Sequence, residues 1–250
     1  MSLVTLRLEQ ITKTFYDGAA PIPALENCTF AIGGGTFTCL IGPSGSGKST
    51  IFNLITGLIR PDQGAIWLGE ERIDGVPGRV GYMPQRDLLL PWRTVLGNAT
   101  LGAEIAGVDK NTARQQAREL LPRFGLAGFA EAYPARLSGG MRQRAALLRT
   151  YLIGRSVLLL DEPFGALDAL TRREMQRWLL GVWAEMGTTI LFITHDVTEA
   201  VTLADRVLVL TTRPGRIKAD IPITLPRPRE EGSAAFVSAQ VGVYQALIGG

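Results

Sequence analysis

The chain is 250 residues long, 46% hydrophobic and 20% charged, with a formal net charge of +3. Length and apolar content suit one large domain, with room for an inserted subdomain, able to bury roughly three quarters of its unfolded surface. The charge imbalance is too small to suggest a nucleic-acid groove by itself, and no apolar run reaches the roughly 18 to 20 residues that cross a bilayer.

From the N-terminus, period-two patterns at Val4 to Glu9, Cys28 to Ile32, Thr36 to Ile41 and Ala65 to Leu68 predict strands, separated by glycine and proline. The run Ile51 to Leu58 after Thr50 predicts a helix. Val80 to Met83, Val157 to Leu160, Thr189 to Ile193 and Arg206 to Leu210 predict further short strands, several apolar on both faces as in a mostly parallel sheet. Helical spacing marks Lys110 to Phe124, Met141 to Ile153 and Thr171 to Met186. Strands interleaved with helices indicate an α/β fold, and the stretch from about Leu88 to Ile153, which reads as helices and loops alone, is expected to be a helical subdomain inserted in it. From Pro214 on, proline and charge suggest a surface tail. Cys28 and Cys39 lie in strand-like stretches without metal-ligand spacing and read as core thiols in a reducing cytoplasm. The chain is expected to be neither a channel nor an exported product.

The sharpest local pattern is Gly42-Pro43-Ser44-Gly45-Ser46-Gly47-Lys48-Ser49-Thr50, which follows a predicted strand and opens a predicted helix. Glycines at that spacing let successive backbone N–H groups turn into one concavity, and the helix start adds its positive dipole end, so a triphosphate fits. Lys48 is placed to reach the β and γ phosphates and Ser49 to offer its hydroxyl to Mg²⁺. Such a loop needs a second group for the metal and one to position water. Asp161 and Glu162, at the carboxyl end of the apolar run Val157 to Leu160, suit those two tasks, Asp161 holding Mg²⁺ through water and Glu162 acting as general base.

Leu137-Ser138-Gly139-Gly140-Met141-Arg142-Gln143-Arg144 narrows the field. It resembles the signature of the ATP-binding cassette family, and the resemblance runs over about the first 225 residues with the family's elements in order. Ser138 and the amides of Gly139 and Gly140 start a predicted helix, a second anion-binding end; in the family it faces a nucleotide held by the other subunit's phosphate loop. The resemblance implies a P-loop NTPase (RecA-like) core with a mostly parallel sheet, an N-terminal antiparallel β part and the inserted helical subdomain. Its boundaries would be 1–87 and 154–225 for the core and 88–153 for the subdomain, with 226–250 as a tail. It also implies site roles. Tyr16 matches the aromatic that stacks on adenine, with Phe15 competing. Gln85 matches the glutamine that links the metal site to the helical subdomain. Asp168 matches the loop crossing the subunit interface, although Gly165 stands where many members carry serine. His195, the only histidine, matches the residue that contacts the γ phosphate and orients Glu162.

The stretch Arg86 to Arg93 concentrates Leu88, Leu89, Leu90 and Trp92. These are either ordinary core residues or a groove for a short helix of a membrane subunit, with Trp92 as an anchor. The stretch resembles importer ATPases of the nitrate, sulfonate, taurine and pyrimidine-precursor group. The function implied is hydrolysis of ATP with Mg²⁺ to power solute import. The implied partners are a second copy in an ATP-dependent head-to-tail dimer, integral membrane permease subunits and, indirectly, a solute-binding protein, at the cytoplasmic face of a bacterial plasma membrane. An exporter would differ only in the membrane partner. A soluble cassette ATPase acting on nucleic acid or ribosomes would be expected to carry a coiled-coil insertion, a second cassette or a strongly basic arm, and none is seen.

Overall fold

A computed structural model describes residues Thr5 to Gly249; Val4, the start of the first predicted strand, lies outside them. The chain divides into two compact units, one made of the sequence up to Val80 together with that from Thr188 on, the other of Gly81–Gly187.

The first unit begins with β1 (Leu6–Asp17), β2 (Ala20–Ile32), β3 (Phe37–Ile41), α1 (Lys48–Ile55), β4 (Gln63–Leu68) and β5 (Glu71–Arg72). β1 pairs antiparallel with β2 on one side and β4 on the other, in the order β2-β1-β4-β5. Both long strands outrun the periodic segments seen in the sequence. Gln10 and Asn27 take positive φ angles of 52° and 47°, and the β1–β2 register shifts between Leu8 and Ile11. Such irregularities reset which residues face inward, so the alternation breaks although the strand continues.

The second unit holds β6 (Gly81–Met83), α2 (Val95–Ala99), α3 (Leu101–Ile105), α4 (Lys110–Leu120), a short 3-10 turn at Pro134–Arg136, α5 (Gly139–Tyr151), β7 (Val157–Asp161) and α6 (Ala169–Met186). β6 and β7 run parallel. α4 stops short of the predicted Phe124 because Pro122 has no N–H to donate. α2 and α3 escape the periodicity because each is only five residues long.

The chain then returns to the first unit with β8 (Thr189–Ile193), α7 (Val197–Leu203), β9 (Arg206–Leu210), β10 (Ile217–Pro222) and α8 (Ala234–Ile248). β8 and β9 flank β3 in parallel, and β10 adds antiparallel to β9. Every residue of β3 and β8 is buried, as strands covered on both faces require. The stretch that reads as a surface tail therefore contains a strand and a helix. Ser233 caps α8 by accepting from the Phe236 amide at 3.3 Å, and Phe236 and Val243 are buried. Two inward residues seven apart are too sparse a pattern to announce a helix.

Candidate nucleotide site

In the first unit, β3 ends at Ile41 and the chain turns through Gly42 to Gly47 into α1. Gly47 has φ 93°, and a Cβ there would come within 2.6 Å of Leu25 Cδ2 and 3.0 Å of the Ala24 carbonyl. Only glycine fits, so the loop is pressed against β2 while its backbone turns. No side chain caps α1, which leaves its positive end for an anion. Lys48 Nζ donates to the carbonyls of Gly42 and Pro43 at 2.8 and 2.9 Å, arching back over the loop. Together Phe15, Ala24, Gly45 to Thr50 and Arg213 line a cleft of about 180 Å³. Phe15 stands on that lining and Tyr16, 71% exposed, does not.

His195 follows β8 and is exposed. Its neighbours fix the backbone: the Asp196 amide donates to Thr194 Oγ1 at 3.0 Å, and the Asp196 carboxylate caps α7 by accepting from the Thr198 and Glu199 amides at 2.8 and 3.2 Å.

In the second unit, Asp161 closes β7 and Glu162 follows with φ 42°, a conformation that costs a non-glycine residue energy and is found at functional sites. The Gly165 amide donates to the Glu162 carbonyl at 3.1 Å, closing the turn. Gln85 Nε2 donates to Glu162 Oε2 at 3.4 Å. Tyr82 directs its hydroxyl toward Asp161 Oδ2 at 3.5 Å; burial, and then the Asp161 charge, pushes the phenol up to about 12 and keeps it a donor. The segment after Gln85 is tied to α5: Arg149 donates to the carbonyls of Asp87 and Leu88 at 2.6 and 2.7 Å, and Arg142 Nε to Asp87 Oδ2 at 3.2 Å.

Ser138 caps α5, accepting from the Met141 amide at 3.3 Å, and is itself exposed. Gly140 is buried, and a Cβ there would lie 3.3 Å from Thr171 Cγ2, so the start of α5 packs closely on α6. Asp168 caps α6 through the amides of Leu170 and Thr171 at 3.1 and 3.0 Å. The Thr171 hydroxyl, followed by its amide, holds the Asp168 carboxyl below its usual range.

A family model described as ABC transporter matches residues 25–165. The chain belongs to the ABC transporter family. The formylaminopyrimidine import ATP-binding protein ThiZ of Halalkalibacterium halodurans is 45% identical over 210 residues, 83% of this chain and 82% of that protein. The taurine import ATP-binding protein TauB of Yersinia pestis is 42% identical over 210 residues, 84% and 82% of the two chains. Among solved structures, a dimeric post-hydrolysis state of an ATP-binding cassette bound to ADP and Pi superposes with a TM-score of 0.75 at 28% identity, covering 88% of this chain and all of that one. The ABC cassette is an ATP hydrolase, and its P-loop NTPase fold is the one expected from the sequence.

Within this cassette each unit carries its own share of the expected residues. Gly42 to Thr50 and His195 fall in the first, and Gln85, Ser138, Gly139, Gly140, Asp161, Glu162 and Asp168 in the second. Trp92 is 71% and Leu88 58% exposed, whereas Leu89 is buried, so the apolar stretch divides between surface and core. Sequence reasoning missed Asn98. It is fully buried, accepts from the Leu90 amide at 2.7 Å and donates to the carbonyls of Leu90, Arg93 and Thr94 at 3.0 to 3.1 Å. Asn98 is thus the template on which the Leu90 to Thr94 turn, and Trp92 with it, is built.

Among the described residues no group of three or more His, Cys, Asp or Glu gathers into a cage, and Mg²⁺ is ordinarily held by one or two protein oxygens with water and substrate phosphates. Ser49, in the first unit, carries a hydroxyl of that kind, and Asp161, in the second, a carboxylate.

Proposed function

We propose that the chain is the ATP-hydrolysing subunit of a solute importer, working as two copies that share two ATP sites in head-to-tail fashion. The observation that carries this reading is that one chain presents two anion-binding helix starts, the uncapped start of α1 and the exposed Ser138 start of α5. The import names of its relatives favour import over export.

In this reading Lys48 neutralises charge on the β and γ phosphates, and the loop amides hold them in place. Phe15 stacks on the adenine, since its ring and not that of Tyr16 lies on the cleft wall. Ser49 and Asp161, with Gln85, hold Mg²⁺, which would screen the phosphate charge. Glu162 accepts the proton of the attacking water as the bond from γ phosphorus to the bridging oxygen breaks and ADP leaves. His195 hydrogen-bonds a γ-phosphate oxygen and orients Glu162. Ser138, Gly139 and Gly140 serve the nucleotide of the second copy, with Asp168 at the subunit boundary.

Trp92, exposed on the Asn98-braced turn, and Leu88, exposed just before it, form an anchor for integral membrane permease subunits, which in turn receive solute from a binding protein. That places the chain peripherally, at the cytoplasmic face of a bacterial plasma membrane. Affinity purification of the full chain from its native membranes tests the assignment. A permease should co-elute, and Trp92→Ala should reduce its recovery at least several-fold with the unfolding midpoint unchanged. Ribosomal proteins or nucleic acid co-eluting instead would contradict it.

A further inference from the structure

The turn joining β9 to β10, Thr211 to Arg216, is seated on the phosphate loop. Its Gly215 amide donates to the Ala24 carbonyl at 2.9 Å and its carbonyl accepts from the Glu26 amide at 3.1 Å. A Cβ on Gly215 would stand 2.1 Å from the Ser46 carbonyl oxygen, so the contact admits no side chain. Inside the turn, Thr211 Oγ1 donates to the Pro214 carbonyl and accepts from the Arg216 amide, both at 2.9 Å. The side chain of Arg216 pairs with Glu26 at 2.8 Å. The backbone carrying Arg213 is therefore fixed from both sides.

The Arg213 side chain is exposed and lines the cleft with Phe15, Lys48 and Thr50; its Nη2 lies 3.8 Å from the Cβ position of Gly45. Among the described residues its guanidinium makes no hydrogen bond or ion pair. Two cations, Lys48 and Arg213, thus line one cleft that contains an uncapped helix start and no carboxylate. Like charges placed together favour an anion between them, and a guanidinium offers paired N–H donors that match phosphate oxygens.

We propose that Arg213 is a further nucleotide-binding residue, pairing in the same chain with phosphate oxygens of the nucleotide held by the phosphate loop. It rests on the reading of that loop given above. The residue adds affinity and phosphate selectivity from an element that the loop pattern does not include.

Calorimetric titration of the full chain with ADP tests this, using Arg213→Ala, Arg213→Gln, Arg213→Lys and Arg213→Glu, with Lys48→Ala as the control for the loop. Ala and Gln should weaken binding by roughly 3- to 30-fold, the range for a solvent-exposed charge-assisted contact. Glu should weaken it further, Lys should retain part of the affinity, and the gap between wild type and Ala should narrow with added salt. Wild-type affinity in both Ala and Glu variants would overturn the proposal. So would a loss in Ala that Gln restores and Lys does not, since that assigns the effect to the side-chain stem. Wild type that fails to bind ADP, or an unaffected Lys48→Ala, would overturn the phosphate-loop reading and this proposal with it.

Discussion

Phe15 and Tyr16 are adjacent on β1 and so point to opposite faces of it, which makes the choice between them a question of register. Stacking a base on an aromatic ring is worth roughly 1–3 kcal/mol, so Phe15→Ala should weaken ATP binding by roughly 5- to 150-fold and Tyr16→Ala should change it little. The opposite ranking in an equilibrium binding assay would return the role to Tyr16. The sequence could not decide between them because β1 is irregular at Gln10, and counting by twos from the buried Leu6 and Leu8 points to Tyr16 whereas Phe15 lines the cleft. Glu162 was legible from its place after an apolar strand, but its positive φ was not. Glu162→Gln keeps the shape and removes the base; turnover should fall roughly 10²- to 10⁴-fold while ATP remains bound. A loss under tenfold in steady-state hydrolysis would remove Glu162 from that role.

Among the elements, those to which the proposed chemistry is assigned were the most readable, because each joins a buried strand to a turn with a distinctive residue set. β3 with α1 and β7 with its acidic pair are the examples. Elements whose role is support were less so. α7 depends on Asp196 as cap, and α8 on Ser233 with two buried contacts. The turn after Gln85 depends on Asn98, whose four hydrogen bonds connect residues four to eight apart, a relation no periodicity expresses. Asn98→Ala leaves one buried amide and three carbonyls without that partner. Urea unfolding should register a loss of about 2–4 kcal/mol, and permease recovery should fall with it because the turn bearing Trp92 loses its template. A change within about 0.5 kcal/mol would mean that the turn holds its shape without Asn98.

At the scale of the molecule, the central claim is that hydrolysis needs two copies, each lending its Ser138 helix start to the other's phosphate loop. In a two-fold dimer every site then joins Lys48 of one copy to Ser138 of its partner. Lys48→Ala and Ser138→Arg should each abolish hydrolysis in their own homodimers, for different reasons. A mixed dimer holds one doubly damaged site and one built from an intact Lys48 and an intact Ser138. The most direct measurement is therefore ATP hydrolysis by an equimolar mixture of the two inactive proteins after subunit exchange. Activity should return to about a quarter of wild type if sites act independently, since about half the dimers are mixed and each carries one good site of two. A mixture that demonstrably exchanges subunits and stays inactive, beside an active dimer in which one copy carries both lesions and the other none, would contradict the account and place each site within a single chain.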